Sequence, residues 1–270
     1  MLRTRVITGL ILGALLLLGL FELPRFWAAA AFGIVFLLAA WEWAGFGALV
    51  APVAKAAYTA AMVAVFWSCW VWTGRTSHLI MLLAVACVWW VVALVWLSLA
   101  PERHLPVLAL LCGVPVLAPA FAALAHLVTS TDGFTNGPQA VLLLALLVCA
   151  ADIGAFFAGR SFGRHKLAPR VSPGKTWEGA AGGLILVSLV AWAGAIYFAL
   201  PATLVVPFGC GVGILSIVGD LTESMFKRAA SLKDSGTLLP GHGGLMDRLD
   251  SISAAAPLYA LGLFGSGVIR

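Results

Sequence analysis

The sequence predicts an all-α, polytopic integral membrane protein with about nine transmembrane helices. Composition is the first reason: 62% of the 270 residues are hydrophobic and only 10% are charged, where a soluble domain carries roughly 25%. Mean hydropathy, at +1.05, is the second. The third is spacing. Apolar runs near the length needed to cross a bilayer recur along the chain, and the short alternating segments of an outer-membrane barrel do not. A soluble globular domain, a disordered chain and a disulfide-stapled module are excluded. The five cysteines all lie in apolar runs without a CxxC pair, which speaks against a disulfide framework or a metal cage.

The runs fall at 6–21, 26–41, 56–73, 79–100, 105–128, 139–158, 177–200, 203–219 and 252–269. The first two are short, and Glu22-Leu23-Pro24-Arg25 joins them, so they can also pair as one re-entrant hairpin. The basic start followed by an apolar run has the outline of a signal peptide. It lacks a small-residue cleavage site near Phe21-Glu22 and reads as a retained helix. The stretch around Gly133 reads as an exterior turn. With the N-terminus in the cytoplasm, 13 of the 16 lysines and arginines fall on the inside, which favours that orientation. The expected location is a cell inner (plasma) membrane, with both large basic loops facing the cytoplasm.

Charge is unevenly placed. The last 120 residues hold 17 of the 27 charged side chains. The chain therefore divides into 1–138, a hydrophobic membrane scaffold, and 139–270, a catalytic region with cytoplasmic loops at 159–176 and 220–251. Chemistry is to be sought in those loops.

The richest segment is 220–250. Four carboxylates, Asp220, Glu223, Asp247 and Asp250, bracket Lys227, Arg228, Lys233, Asp234 and His242. If the eighth helix continues past its apolar run, then Asp220, Glu223, Ser224 and Lys227 share one face. Asp247 and Asp250 share a face at the start of the ninth. Between them, Gly241, Gly243 and Gly244 allow a tight reversal and close backbone approach to a ligand. Carboxylates at a membrane boundary are costly unless paired or metal-bound. Two pairs of acids facing across a turn suit a hard cation such as Mg²⁺. Lys227, Arg228, Lys233 and Arg248 would then meet phosphates. His242 can bind a phosphate or cap backbone groups. The plainer reading is a solvated basic loop; it explains the lysines and arginines but not four acids at the ends of two helices.

A second segment begins at Asp152, a carboxylate inside an apolar run and so a functional candidate. A helix-end acid paired with Arg160 is the alternative. Ser172-Pro173-Gly174-Lys175-Thr176 looks like a nucleotide-binding P-loop, but Pro169 stands where that motif needs a glycine. What remains is a helix N-terminus where Ser172, Lys175 and Thr176 can donate to an anion. Glu178 can start the helix or pair with a base. Lys175 is expected to meet an anionic group and to stay clear of the cation-binding acids.

Ser224 to Asp250 reads S-x-F-K-R-x4-K-D-x-G-x2-L-P-x-H-G-G-L-x-D-R-L-D. It resembles the signature of the phosphatidate cytidylyltransferase (CDP-diacylglycerol synthase) family along its whole length. The Asp152 and 172–179 segments are similar to that family too. The resemblance implies transfer of a cytidylyl group from CTP to phosphatidic acid, giving CDP-diacylglycerol and pyrophosphate. It implies Mg²⁺, a second cation such as K⁺, a lipid-open cavity, a homodimer, and no nucleic-acid partner. The family's metal aspartates fall on Asp220 and Asp247, and Asp250 is assigned to the cation beside them. Catalytic roles would go to Lys227, Arg228, Lys233, Asp234, His242, Arg248 and Asp152. Substrate contacts would come from Ser172, Lys175, Thr176, Glu178, Ser224, Gly243 and Gly244. A CTP-dependent polyprenol kinase-like enzyme and an ion-coupled transporter are the competing readings. The first is disfavoured by the 224–250 pattern.

Overall fold

The computed structural model describes residues 2–100, 106–131, 136–239, 241 and 243–269. Among the described residues the chain forms nine α-helices: α1 Leu2–Phe21, α2 Arg25–Trp43, α3 Pro52–Trp72, α4 Thr76–Leu99, α5 Pro106–Thr129, α6 Gly137–Phe162, α7 Trp177–Tyr197, α8 Ala202–Ala229 and α9 Met246–Gly265. Each apolar run has become one helix. Seven of them, α2 to α8, are long and apolar enough to cross a membrane. In α1 the shorter apolar stretch Ile7–Phe21 stands out among the described residues, and α9 opens on Asp247, Arg248 and Asp250. The exterior turn expected at Gly133 lies outside the described residues.

Two expectations need correction. Segment 220–251 is not one long loop. α8 runs ten residues beyond Gly219, through Asp220 to Ala229, and α9 starts at Met246. Its extension is held by polar pairing: Lys227 Nζ donates to Glu223 Oε2, one turn back, at 2.8 Å. Hydropathy marks where apolar side chains stop, and a helix can continue on hydrogen bonds and ion pairs. Segment 159–176 is likewise structured. α6 continues to Phe162, and β1 (Lys166–Ala168) pairs antiparallel with β2 (Ser172–Thr176) in a small hairpin.

The core is built on α5, whose Ala109, Ala118, Ala120, Ala122, Ala123 and Ala125 are buried. Small side chains let α2 and α9 approach it closely. A glycine seam joins α6 to α7. A Cβ on Gly154 would collide with the Gly182 carbonyl, and one on Gly182 with Ala158. α7 packs on α8, and α8 on α9.

The connections sort to two ends. At one, Arg25 donates to the Ser130 carbonyl (2.6 Å) and to Asn136 (3.1 Å), and Thr73 meets His126 at 2.8 Å. At the other, Arg228 Nε donates to the Val171 carbonyl (3.4 Å), and the Ser235 hydroxyl donates to Glu42 (3.0 Å). Both polar loops therefore lie at the same end of the bundle.

Candidate functional site

A cavity of about 640 Å³ lies at the end that holds the polar loops. α6 supplies Asp152, Phe156 and Arg160, β2 supplies Lys175, and α8 supplies Asp220 and Lys227. Asp234 comes from the α8–α9 loop, and Asp247, Arg248 and Asp250 from the first turn of α9. Ala151, Ala155 and Ile217 give it an apolar wall. Five segments, α6, β2, α8, the α8–α9 loop and α9, thus place acids and bases on one space.

Within it the charges are paired. Lys175 Nζ lies 2.5 Å from Asp220 Oδ2. Lys227 is buried and bridges two acids, Glu223 at 2.8 Å and Asp247 at 2.6 Å. The α8 face expected from the helical spacing is real: Ser224 Oγ donates to Asp220 Oδ1, one turn back, at 3.4 Å. Asp247 also accepts from the backbone N–H groups of Gly244 (2.8 Å) and Ser235 (3.0 Å). Burial would raise the Asp247 carboxyl, but Lys227 and the Gly244 and Ser235 amides hold it below its ordinary range. Asp250 goes the other way. Its burial, then the neighbouring Asp220 and Glu223 carboxylates, push it well above.

Asp152, Lys175, Thr176, Asp220, Lys227, Asp234, Asp247, Arg248 and Asp250 are brought together on the cavity. Ser172 and Arg228 are not among its lining residues. Ser172 pairs with Ala168 across the hairpin, and Arg228 donates to the Val171 and Leu232 carbonyls. Thr176 caps α7, accepting from the Gly179 N–H at 3.1 Å. Glu178 is taken up by its own loop: it accepts from the Arg164 and His165 amides and meets the His165 ring at 2.6 Å. Lys233 is exposed. Gly243 and Gly244 form a cradle for Asp247; Gly243 has φ +81° and bridges to Leu239. His242 lies outside the described residues.

Two residues join the site that have no assigned role in the sequence patterns above. Arg160, there the alternative partner for Asp152, lines the cavity. Glu42 was not singled out, yet it is buried against the α8–α9 loop. The available signal was an acid inside an apolar run.

Among the described residues no three His, Cys, Asp or Glu side chains converge closely enough to cage a metal ion. Asp220 and Asp247 each carry an ammonium group on an oxygen and line one cavity. Such hard oxygen donors fit a Mg²⁺ ion that takes one or two carboxylates and completes its shell with substrate oxygens. The free edge of the cavity is basic, with Arg160 and Arg248 both exposed. The arrangement can therefore hold a polyanion beside an apolar wall.

The chain matches the family model described as "Cytidylyltransferase family" over residues 3–264. It is 39% identical to a phosphatidate cytidylyltransferase of Haemophilus influenzae, over 96% of this chain and 98% of that protein. It is 40% identical to a phosphatidate cytidylyltransferase of Pseudomonas aeruginosa, over 99% of this chain and 98% of that protein. A third, from Brucella suis, is 46% identical over 50% of this chain and 48% of its own length.

Proposed function

The chain belongs to the cytidylyltransferase family, and on that premise we propose that it transfers a cytidylyl group from CTP to phosphatidic acid. The products are CDP-diacylglycerol and pyrophosphate. The observation that carries this reading is the cavity itself, where Arg160, Lys175 and Arg248 share one space with Asp220 and Asp247 and an apolar wall of Ala151, Ala155 and Ile217. One substrate is a polyphosphate and the other a phosphate on two acyl chains. A site for both needs cations beside an apolar face.

In this reading a phosphate oxygen of phosphatidate bonds to the α-phosphorus of CTP, and the bond to the β-phosphate oxygen breaks. The attacking oxygen is already ionised at neutral pH, so little proton transfer is needed. Catalysis is then mainly positioning and charge neutralisation. Lys175, Arg160 and Arg248 hold phosphate oxygens. Lys227 keeps Asp247 oriented through its 2.6 Å contact. Mg²⁺, when bound, would be held by Asp220 and Asp247, with Asp250 beside them, and would neutralise charge on the triphosphate. The cavity end faces the cytoplasm, where CTP is found, in keeping with the basic residues of both loops.

The test is an assay of purified protein in mixed micelles with phosphatidate, CTP and Mg²⁺, read as pyrophosphate and CDP-diacylglycerol. Both products are expected in equal amounts. Release of CDP from CTP with a polyprenol, and no reaction with phosphatidate, would replace this reading by a lipid kinase.

A further inference from the structure

The side chain of Glu42, in the last turn of α2, is only 3% exposed and is not part of the cavity lining. Its Oε2 accepts the Met246 N–H at 2.8 Å and the Ser235 hydroxyl at 3.0 Å. Met246 is the first residue of α9, and its N–H is one of the donors a helix start leaves without an internal partner. Leu245, at the cap position, makes no side-chain capping bond. The cap comes instead from a residue 204 positions away.

Ser235 carries the contact onward. Its N–H donates to Asp247 Oδ2 at 3.0 Å, and its hydroxyl oxygen accepts the Asp247 N–H at 3.3 Å. The backbone is wrapped tightly here. A Cβ on Gly236 would collide with the Glu42 carboxylate, and one on Gly244 with both that carboxylate and the Ser235 hydroxyl. Burying a carboxylate is costly, and its hydrogen bonds only partly offset that cost. Among the described residues, no hydrogen-bond partner reaches the buried Glu42 Oε1. An apolar residue of the same size would fill the space more cheaply if packing were its only task.

We propose that Glu42 is a positioning residue: it ties the α8–α9 loop to α2 through Ser235 and Met246 and so fixes Asp247 at the cavity. This rests on the reading of Asp247 as part of the cytidylyl-transfer site. Glu42 itself touches neither substrate nor the reacting atoms.

The experiment uses the full-length protein with Glu42→Leu, Glu42→Gln and Ser235→Ala. Hydrogen exchange is measured on the segment 233–247 without substrates, alongside kcat, KM for each substrate and the Mg²⁺ midpoint. Glu42→Leu should speed exchange across 233–247 while α5 and α6 keep wild-type rates. Its kcat should fall on the order of 10²-fold, the scale of a small misplacement at a reacting centre. KM for phosphatidate should stay near wild type, and the Mg²⁺ midpoint should rise. Glutamine keeps an oxygen acceptor for Met246 and Ser235, so Glu42→Gln should restore the slow exchange and most of the turnover. Ser235→Ala should give an intermediate loss, and adding it to Glu42→Leu should cost nothing more, because both cut one network. Wild-type exchange in Glu42→Leu, or a Glu42→Gln variant as impaired as Glu42→Leu, overturns the proposal. Should Glu42→Leu fail to fold, Ser235→Ala decides by the same readouts. Wild-type protein inactive on phosphatidate would sink the proposed reaction alone, since exchange is read without substrates.

Discussion

Lys175 Nζ and Asp220 Oδ2 lie 2.5 Å apart, so the β2 hairpin strand and helix α8 meet through an ion pair inside the cavity. The two segments were expected to work separately, one on phosphate and the other on a cation. The pair makes them one electrostatic unit. Each side chain remains about a quarter exposed, at 26% and 29%, so either can exchange its partner for a ligand.

Lys175→Ala should therefore do two things. It should lower kcat/KM by about 10²-fold, or roughly 2.7 kcal/mol of transition-state binding, through lost phosphate contact. It should also move the Mg²⁺ midpoint to lower concentration, because Asp220 is freed of a competing cation. Asp220→Asn should move that midpoint upward and reduce turnover. A Mg²⁺ titration of both variants at saturating substrates reads this directly. An unmoved midpoint in Lys175→Ala would separate the two segments again.

Asp247→Asn should cost stability as well as activity. The Lys227–Asp247 pair is nearly buried, with side chains 10% and 9% exposed. Breaking such a pair costs about 3–5 kcal/mol, toward the lower end here because Lys227 keeps Glu223. Asp234 is exposed, and Asp234→Asn should leave the unfolding midpoint unchanged and reduce activity less. Denaturant unfolding in detergent compares the two, and equal midpoints would remove Asp247 from the structural network.

Acid should act on the same residue. The folded Asp247 carboxyl is held below its ordinary range, so its contribution to stability is present above the unfolded value, about 4. That contribution is lost as pH falls from there through the folded value. Wild type should lose stability in that window, and Asp247→Asn should show a shallower loss. Parallel pH–stability curves for the two proteins would contradict the assignment.

Orientation can be read with single cysteines at exposed positions. Arg164 and Lys233 are exposed at the cavity end, and Arg75 is exposed on the α3–α4 connection. Ser235, though in the same loop as Lys233, is buried and hydrogen-bonded and is a poor reporter. In intact cells, Arg164→Cys and Lys233→Cys should react only with permeant thiol reagents, and Arg75→Cys with impermeant ones. Impermeant labelling at Arg164 or Lys233 would reverse the proposed orientation.

The membrane class, the nine helical segments, the two polar regions and the family are all legible along the chain. Each of these is written locally: an apolar run of bilayer length, or a string of polar residues such as 224–250 at fixed spacing. The sequence also states the condition under which Asp220, Ser224 and Lys227 share a face, and α8 meets it. Tertiary structure alone decided which charges meet. Hydropathy ended α8 at Gly219 because it measures apolar content, whereas the helix continues on an internal ion pair. Lys175 reaches Asp220 because the hairpin between α6 and α7 lays β2 against α8. Glu42 meets Ser235 across 193 residues because α2, packed on α5, ends beneath the α8–α9 loop. Contacts of that kind follow from helix packing, which no window along the chain contains.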